Sequence, residues 1–118
     1  MLNLKSSHLF SDNVKFLEEV EDDLGKIDGS LIRQIVKAIN KIAANPRPNT
    51  EGGLGKPLKN ANGNRLSGFN KIKLLKAGVR IIYQLKEADG KILVIIIATR
   101  ADGYAYNQAV KRIEKHNL

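Results

Sequence analysis

Apolar residues in the first half of the chain recur every three or four positions, the spacing that places them on one side of an α-helix. A first helix is predicted between Ser11 or Asp12, either of which can cap it, and Gly25, which can end it. A second helix starts near residues 28–30 and ends before Pro46. Because only a few residues separate the two helices, we expect a helical hairpin. The apolar positions are Phe10, Val14, Leu17, Val20 and Leu24 in the first helix, and Leu31, Ile32, Ile35, Val36, Ile39, Ile42 and Ala43 in the second.

In the second half of the chain, the apolar pattern changes to that of β-strands. Residues 69–75 alternate lysines with aliphatic residues, which predicts a strand with two different faces. The run from Ile92 to Ala98 is apolar at both odd and even positions, as expected for a strand buried on both faces. Asp89-Gly90 is a hairpin signal between two of these strands. The predicted elements are a short strand over 2–9, strands over 69–75, 79–85 and 91–99, and a last helix over 104–117.

This order of elements predicts one domain over residues 1–118 in the α+β class. The expected architecture is an N-terminal helical hairpin packed on an antiparallel β-meander, followed by a C-terminal helix. Residues 45–64, rich in Asn, Gly and Pro, are predicted to form an extended surface loop. Gly55-Lys56 in this loop does not belong to a phosphate-binding loop, because Thr50 replaces the first glycine and Pro57 replaces the serine or threonine.

The charge of the chain is strongly basic and unevenly distributed. Twenty Lys and Arg residues against twelve Asp and Glu residues give a net charge of +8. Residues 1–30 carry three basic and seven acidic side chains, whereas residues 31–118 carry seventeen basic and five acidic ones, a net charge of +12. A field of this sign favours polyanions, such as nucleic acid, the ribosome, an anionic membrane surface or an acidic protein.

The composition excludes several classes of site. The chain has no cysteine, so it has no disulfides, no thiolate metal site and no thiol nucleophile. His8 and His116 lie near opposite ends of the sequence and form a poor zinc site. We expect no metal and no cofactor. There is no signal peptide and no apolar run of about twenty residues, so we expect a cytoplasmic protein without a membrane partner.

Five basic and aromatic residues form the candidate catalytic set. Strand alternation places Lys71 and Lys73 on one face, and hairpin geometry brings Arg80 and Arg100 into the same sheet, with Tyr106 following. Cleavage of RNA requires removal of a proton from a 2′-hydroxyl, stabilisation of the phosphorane and protonation of the 5′-oxygen. Lysine, arginine and tyrosine can share these tasks.

The energetic requirement for a lysine base is considerable. A free lysine titrates near 10.4, and a base at neutral pH needs a value about 3 units lower, equivalent to roughly 4 kcal/mol. One charge about 7 Å away at an effective dielectric constant near 20 supplies about 2 kcal/mol, so two or three neighbouring cations suffice. The alternative, from spacing alone, is a lysine-rich strand edge that only keeps the sheet soluble or binds nucleic acid without chemistry.

These residues resemble the RelE branch of the RelE/ParE toxin superfamily. The resemblance covers about residues 10 to 114 and is strongest over 66–113. It rests on Lys71-Ile72-Lys73-Leu74, Gly78-x-Arg80-Ile81-Ile82-Tyr83-Gln84, Arg100 and Tyr106, together with Asn45-Pro46, Gly55-Lys56-Pro57-Leu58, Leu66-x-Gly68 and Ala109-Val110-Lys111-Arg112-Ile113.

The resemblance implies a toxin of a type II toxin–antitoxin system that cuts mRNA codons in the ribosomal A site and arrests translation. By position, it implies base and transition-state roles for Lys71 and Lys73, phosphate stabilisation for Arg80, a general acid in Arg100, and stacking on or orientation of the nucleotide by Tyr106. The long loop and Asp102, between Arg100 and Tyr106, depart from the family pattern.

The resemblance also implies the partners of the chain. They are a RelB-like antitoxin, the small ribosomal subunit with its mRNA, and operator DNA that is reached only through the antitoxin. Two alternatives remain open: a ParE-like toxin that binds DNA gyrase without chemistry, and a basic RNA-binding module or inactive toxin. Because the fold serves both toxin types, the set of five residues is the feature that separates them.

Overall fold

The computed structural model describes residues 9–59, 66–86, 90–99 and 102–118. These residues form three α-helices, one short 3₁₀ helix and five strands that belong to one sheet. In chain order the elements are β1 (Val14–Phe16), α1 (Glu19–Gly25), α2 (Gly29–Ala44), the 3₁₀ helix (Asn49–Glu51), β2 (Lys56–Pro57), β3 (Phe69–Leu74), β4 (Val79–Lys86), β5 (Lys91–Ala98) and α3 (Asp102–Lys115).

The sheet has the strand order β1-β5-β4-β3-β2. Strands β3, β4 and β5 form the predicted antiparallel meander. Strand β2 adds to one side of it in antiparallel orientation, and β1 adds to the other side in parallel orientation. The α+β class, the helical hairpin and the C-terminal helix are therefore confirmed, but the sheet is mixed rather than purely antiparallel.

The prediction of one continuous first helix from residue 11 or 12 to Gly25 is wrong. The backbone of Val14–Phe16 instead pairs with Ile92–Val94 of β5, and α1 begins only at Glu19. The apolar spacing of this segment fits a helix locally, but β5 has an open edge that needs hydrogen-bonding partners, and this pairing overrides the local pattern. Residues 2–8 of the strand predicted over 2–9 lie outside the described residues.

Helix α2 forms as its sequence predicts. Asp28 caps it by accepting a hydrogen bond from the backbone N–H of Ser30 at 3.0 Å, a contact that lowers the pKa of Asp28. The buried positions Ile35, Ile39 and Ile42 follow the helical period. Within the described part of the chain, no helix is both long enough and apolar enough to cross a bilayer.

The two faces of the sheet are covered by different helices. On one face, the hydroxyl of Tyr83 donates to the carbonyl of Pro46, the second residue after α2, at 3.3 Å. On the other face, Phe69 lines the same cleft as Val110 and Ile113 of α3. The core between these layers is dominated by fully buried isoleucines: Ile35, Ile39, Ile42, Ile81, Ile82, Ile92 and Ile95 to Ile97.

Strand β5 contains a β-bulge opposite the middle of β4. Ile82 pairs with Ile96, but the next residue, Tyr83, pairs with Val94, so Ile95 is an extra residue in β5. A bulge leaves its extra residue outside the regular ladder and bends the strand. The carbonyl of Ile95 therefore needs a hydrogen-bonding partner from elsewhere.

The described part of the predicted loop 45–64 is tightly folded rather than extended. Pro48 bridges Gly55, and β2 follows directly. A Cβ atom on Gly53 would lie 1.7 Å from the carbonyl oxygen of Arg47, and one on Gly55 would lie 1.9 Å from the hydroxyl of Tyr83. Burial raises the pKa of Tyr83 to about 12. Both glycines are thus required by close packing.

Candidate active site

Strands β3 and β4 carry three of the predicted cations on one face of the sheet. Lys71 and Lys73 are two residues apart on β3, so their side chains lie on the same face. Lys73 is the direct cross-strand partner of Arg80 on β4. Directly opposed residues in an antiparallel pair have Cβ atoms about 5 Å apart. The three side chains therefore form one positively charged cluster.

Tyr106 reaches this cluster from α3. Lys71 is buried, with 8% of its surface exposed, and its Nζ donates a hydrogen bond to the Tyr106 hydroxyl. The same nitrogen lies 5.2 Å from the centroid of the Tyr106 ring, within cation–π distance. Residues 35 positions apart in the sequence are thus in direct contact.

The three cations of the cluster differ in their exposure to solvent. Lys71 is buried, Arg80 is half-buried and Lys73 is exposed. The Arg80 guanidinium donates to the carbonyl of Gly78 at 3.2 Å, in the turn that joins β3 to β4. Gly78 has a φ of 67°, a conformation that favours glycine. The turn therefore fixes Arg80 beside the exposed end of the cluster.

Arg100, the fifth predicted residue, lies outside the described residues. Strand β5 ends at Ala98, which is the cross-strand partner of Arg80, and Arg100 follows two positions later in the sequence. The proximity of Arg100 to the cluster thus stays a prediction, as do the catalytic roles of all five residues.

Lys56 is a further cation at this site, and the sequence did not predict it. It is the direct cross-strand partner of Lys71 through the pairing of β2 with β3. Strand periodicity does not reveal this pairing, because residues 45–64 have no alternating pattern and β2 is only two residues long. The one local signal was Gly55-Lys56-Pro57, where the glycine permits close packing against Tyr83.

An open groove of about 410 Å³ adjoins the cluster along the edge of β3. Its described lining residues include four lysines and no acidic side chain. They are Ala38 and Lys41 from α2, Leu54 and Lys56 from the tight loop and β2, and Lys71, Ile72, Lys73, Leu74 and Leu75 from β3 and its turn. The lining of the groove therefore combines aliphatic side chains with lysines.

A buried ion pair holds α3 against α1 and β5. Arg112 donates to both carboxylate oxygens of Asp23, at 2.7 and 2.8 Å, and to the bulge carbonyl of Ile95 at 3.0 Å. Asp23 also accepts a hydrogen bond from the backbone N–H of Ile97 at 3.0 Å. Burial opposes the charge of Arg112, but the contacts with Asp23 outweigh it and raise the pKa of Arg112. The ion pair thus provides hydrogen-bonding partners for backbone groups of β5 that lie beyond Ile92–Val94, the residues that pair with β1.

The end of α3 makes a second, more exposed set of ionic contacts with α1. Glu19 lies 3.0 Å from His116 and 3.3 Å from Lys115. Burial alone would raise the pKa of Glu19, but hydrogen bonds from His116, the backbone and Lys115 lower it to about 2. Ligand atoms of Glu18, Glu19 and His116 also lie within 4.8 Å of one another, but Lys115 already forms ion pairs with both carboxylates. His8 lies outside the described residues.

The chain is similar to RelE toxins in both sequence and fold. It is 27% identical over 100 residues to a putative RelE-like toxin protein of Escherichia coli, a match that covers 85% of this chain and 95% of that protein. The E. coli toxin RelE mutant in the free state matches with a TM-score of 0.65 at 24% identity, over 85% of this chain and 95% of that one. The resemblance to the RelE-type toxins is thereby confirmed.

The RelE-like fold is also found in a toxin bound to its antitoxin. The E. coli RelE mutant in complex with the antitoxin RelBc peptide matches with a TM-score of 0.61 at 24% identity, over 85% of this chain and 95% of that one. No protein-family model matches the chain. Together the comparisons show that this chain is similar to RelE toxins in both sequence and fold.

Proposed function

We propose that this RelE-like toxin is a ribosome-dependent endoribonuclease that cuts mRNA in the A site and arrests translation. The observation that carries the proposal is the shared face of Lys71, Lys73 and Arg80, with Tyr106 in contact with Lys71. Three cations on one face are suited to a phosphate whose negative charge increases in the transition state. A toxin that only binds its target does not need this arrangement.

The proposed reaction is an attack within the RNA strand. One lysine of the pair removes the proton of the 2′-hydroxyl, and the 2′-oxygen then attacks the adjacent phosphorus. The second lysine and Arg80 stabilise the phosphorane, and Arg100 gives a proton to the departing 5′-oxygen. The P–O5′ bond breaks as the P–O2′ bond forms, so the products are a 2′,3′-cyclic phosphate and a 5′-hydroxyl.

Tyr106 orients the nucleotide in this scheme. Its hydroxyl accepts a hydrogen bond from Lys71, which fixes the position of both groups relative to each other. Its ring is suited to stacking on a base, as aromatic side chains do in single-stranded RNA recognition. The exposed Lys73 and half-buried Arg80 give the phosphate access from solvent.

The proposed partner in the cell is a RelB-like antitoxin, through which the complex contacts operator DNA. An acidic segment of the antitoxin suits the net charge of +12 carried by residues 31–118. The same charge suits docking on ribosomal RNA, which is independent of sequence and sensitive to salt.

The proposal is tested in a translation extract programmed with a defined mRNA. We expect cleavage within the A-site codon and fragments that end in a 2′,3′-cyclic phosphate. Lys73→Ala is expected to lower the cleavage rate by at least about tenfold, whereas Lys37→Ala, an exposed lysine on α2, serves as the matched control.

Intact message on arrested ribosomes would contradict the nuclease proposal. In that case, loss of DNA supercoiling activity on addition of the toxin to purified gyrase would favour the ParE-like alternative. Cleavage that is unchanged by Lys73→Ala would instead place the chemistry elsewhere on the molecule.

A further inference from the structure

The pairing of β2 with β3 places Lys56 directly opposite Lys71. Like charges that lie directly opposite each other on neighbouring strands destabilise a sheet. The surrounding loop nevertheless holds Lys56 in place, because Gly55 packs against Tyr83 and Gly53 packs against Arg47. A tightly packed loop that presents a cation beside another cation indicates a site for an anion.

The groove beside this pair continues away from the proposed active site. Lys41 of α2 and Lys56 of β2 line it together with Lys71 and Lys73, whose side chains lie on the face of β3 that carries the proposed active site. The lining also includes Leu54 and Leu75, which are 43% and 83% exposed. Its volume of about 410 Å³ lies within the range of small-molecule binding sites.

We propose that this groove binds one nucleotide of single-stranded RNA next to the scissile phosphate. Lys41 and Lys56 contact the phosphate of this nucleotide, and the aliphatic side chains of the lining contact its base. The inference rests on the proposed nuclease function, because continuity with Lys71 and Lys73 is what connects the groove to an RNA strand. The groove thus adds a subsite that determines how the RNA strand enters the proposed active site.

The charges favour RNA over a protein segment as the occupant. Four lysines around a short groove match the phosphates of a nucleic acid backbone, and the described lining contains no acid to repel them. Aliphatic side chains tolerate different bases, since every base has an apolar face. An acidic peptide is the competing occupant and is included in the test.

The test measures binding of a fluorescent hexaadenylate whose riboses all carry 2′-O-methyl groups, so that it cannot be cleaved. Affinity is followed by anisotropy as a function of salt. The double variant Lys41→Ala/Lys56→Ala is expected to bind about tenfold more weakly, and the slope of log K against log salt is expected to fall by about 0.7, the value for the loss of one phosphate contact in single-stranded nucleic acid. The matched control is Lys37→Ala/Lys111→Ala, which removes the same charge from exposed positions outside the groove.

A third variant separates the base contact from the phosphate contact. Leu54→Ser is expected to weaken binding without changing the salt slope, because Leu54 carries no charge. Equal slopes for the wild-type protein and the Lys41/Lys56 variant would overturn the proposal. The proposal would also be overturned if binding of a glutamate- and leucine-rich peptide depended on these lysines while binding of the RNA did not.

The groove proposal and the nuclease proposal can fail independently of each other. If the message stays intact in the extract but RNA binding depends on Lys41 and Lys56, the nuclease proposal fails and the groove remains an RNA site. If the message is cut but neither the affinity nor the salt slope depends on these lysines, only the groove proposal fails.

Discussion

The ion pair between Asp23 and Arg112 makes a strong prediction about stability. Both side chains are nearly buried, with 9% and 15% of their surfaces exposed, and they share two hydrogen bonds. Arg112→Met removes the positive partner and leaves the Asp23 carboxylate buried and uncompensated. Breaking a buried pair in this way costs about 3–5 kcal/mol, which is a large part of the roughly 5–15 kcal/mol that stabilises a typical domain.

The measurement is urea unfolding followed by far-ultraviolet circular dichroism. We expect Arg112→Met to lose about 3–5 kcal/mol in the free energy of unfolding. Asp23→Asn keeps an acceptor for the N–H of Ile97 and is expected to lose about 1.5–3 kcal/mol. Arg47→Ala breaks the exposed Arg47–Glu51 pair, at 3.2 Å, and is the control, with an expected loss under about 1 kcal/mol.

The double variant Asp23→Leu/Arg112→Met tests whether the two buried charges stabilise each other. Because it removes both charges together, it should be more stable than Arg112→Met alone. It still leaves the N–H of Ile97 and the carbonyl of Ile95 without these partners, so some loss remains. A loss equal to the sum of the losses of Asp23→Leu and Arg112→Met, each measured alone, would show that the pair is not coupled and would refute this account.

Three further predictions concern Gly55, Glu19 and Arg100. Gly55→Ala should lose about 1–3 kcal/mol of stability in thermal unfolding, because its Cβ would lie 1.9 Å from the Tyr83 hydroxyl. Adding Tyr83→Phe should restore part of this stability, and no restoration would exclude the clash as the cause. Since the pKa of Glu19 falls from 4.5 to about 2, its stabilisation should be complete above pH 4.5 and disappear as the pH falls towards 2. Urea unfolding of Glu19→Gln and wild type should therefore converge at low pH, and a constant difference would contradict this. Arg100→Ala should lower the cleavage rate at least about a hundredfold, measured in the translation extract; near-normal cleavage would remove Arg100 from the mechanism.

Periodicity was sufficient to predict the elements whose sequence pattern agrees with their packing. Helix α2 and strands β3 to β5 fall within two residues of their predicted limits. Strand β1 could not be predicted, because Val14 fits a helical stripe as well as it fits a strand. Only the open edge of β5, which is distant in sequence, decides between the two.

The candidate site was predictable as far as strand alternation and hairpin register determine it. Lys71 and Lys73 share a face because of the two-residue period, and Arg80 joins them through the short turn at Gly78. Lys56 could not be found in this way. Its position opposite Lys71 depends on a loop that folds back on itself, and such packing leaves no periodic signal in the sequence.

The β-bulge at Ile95 divides β5 into two segments with separate tasks. Ile92–Val94 support β1, whereas Ile96 to Ala98 lie behind the charged end of β4. Because the bulge absorbs one residue between them, the pairing with β4 shifts by one residue at Ile95, and the two segments follow separate registers. One strand thereby supports both the parallel edge of the sheet and the end of β4 that carries Arg80.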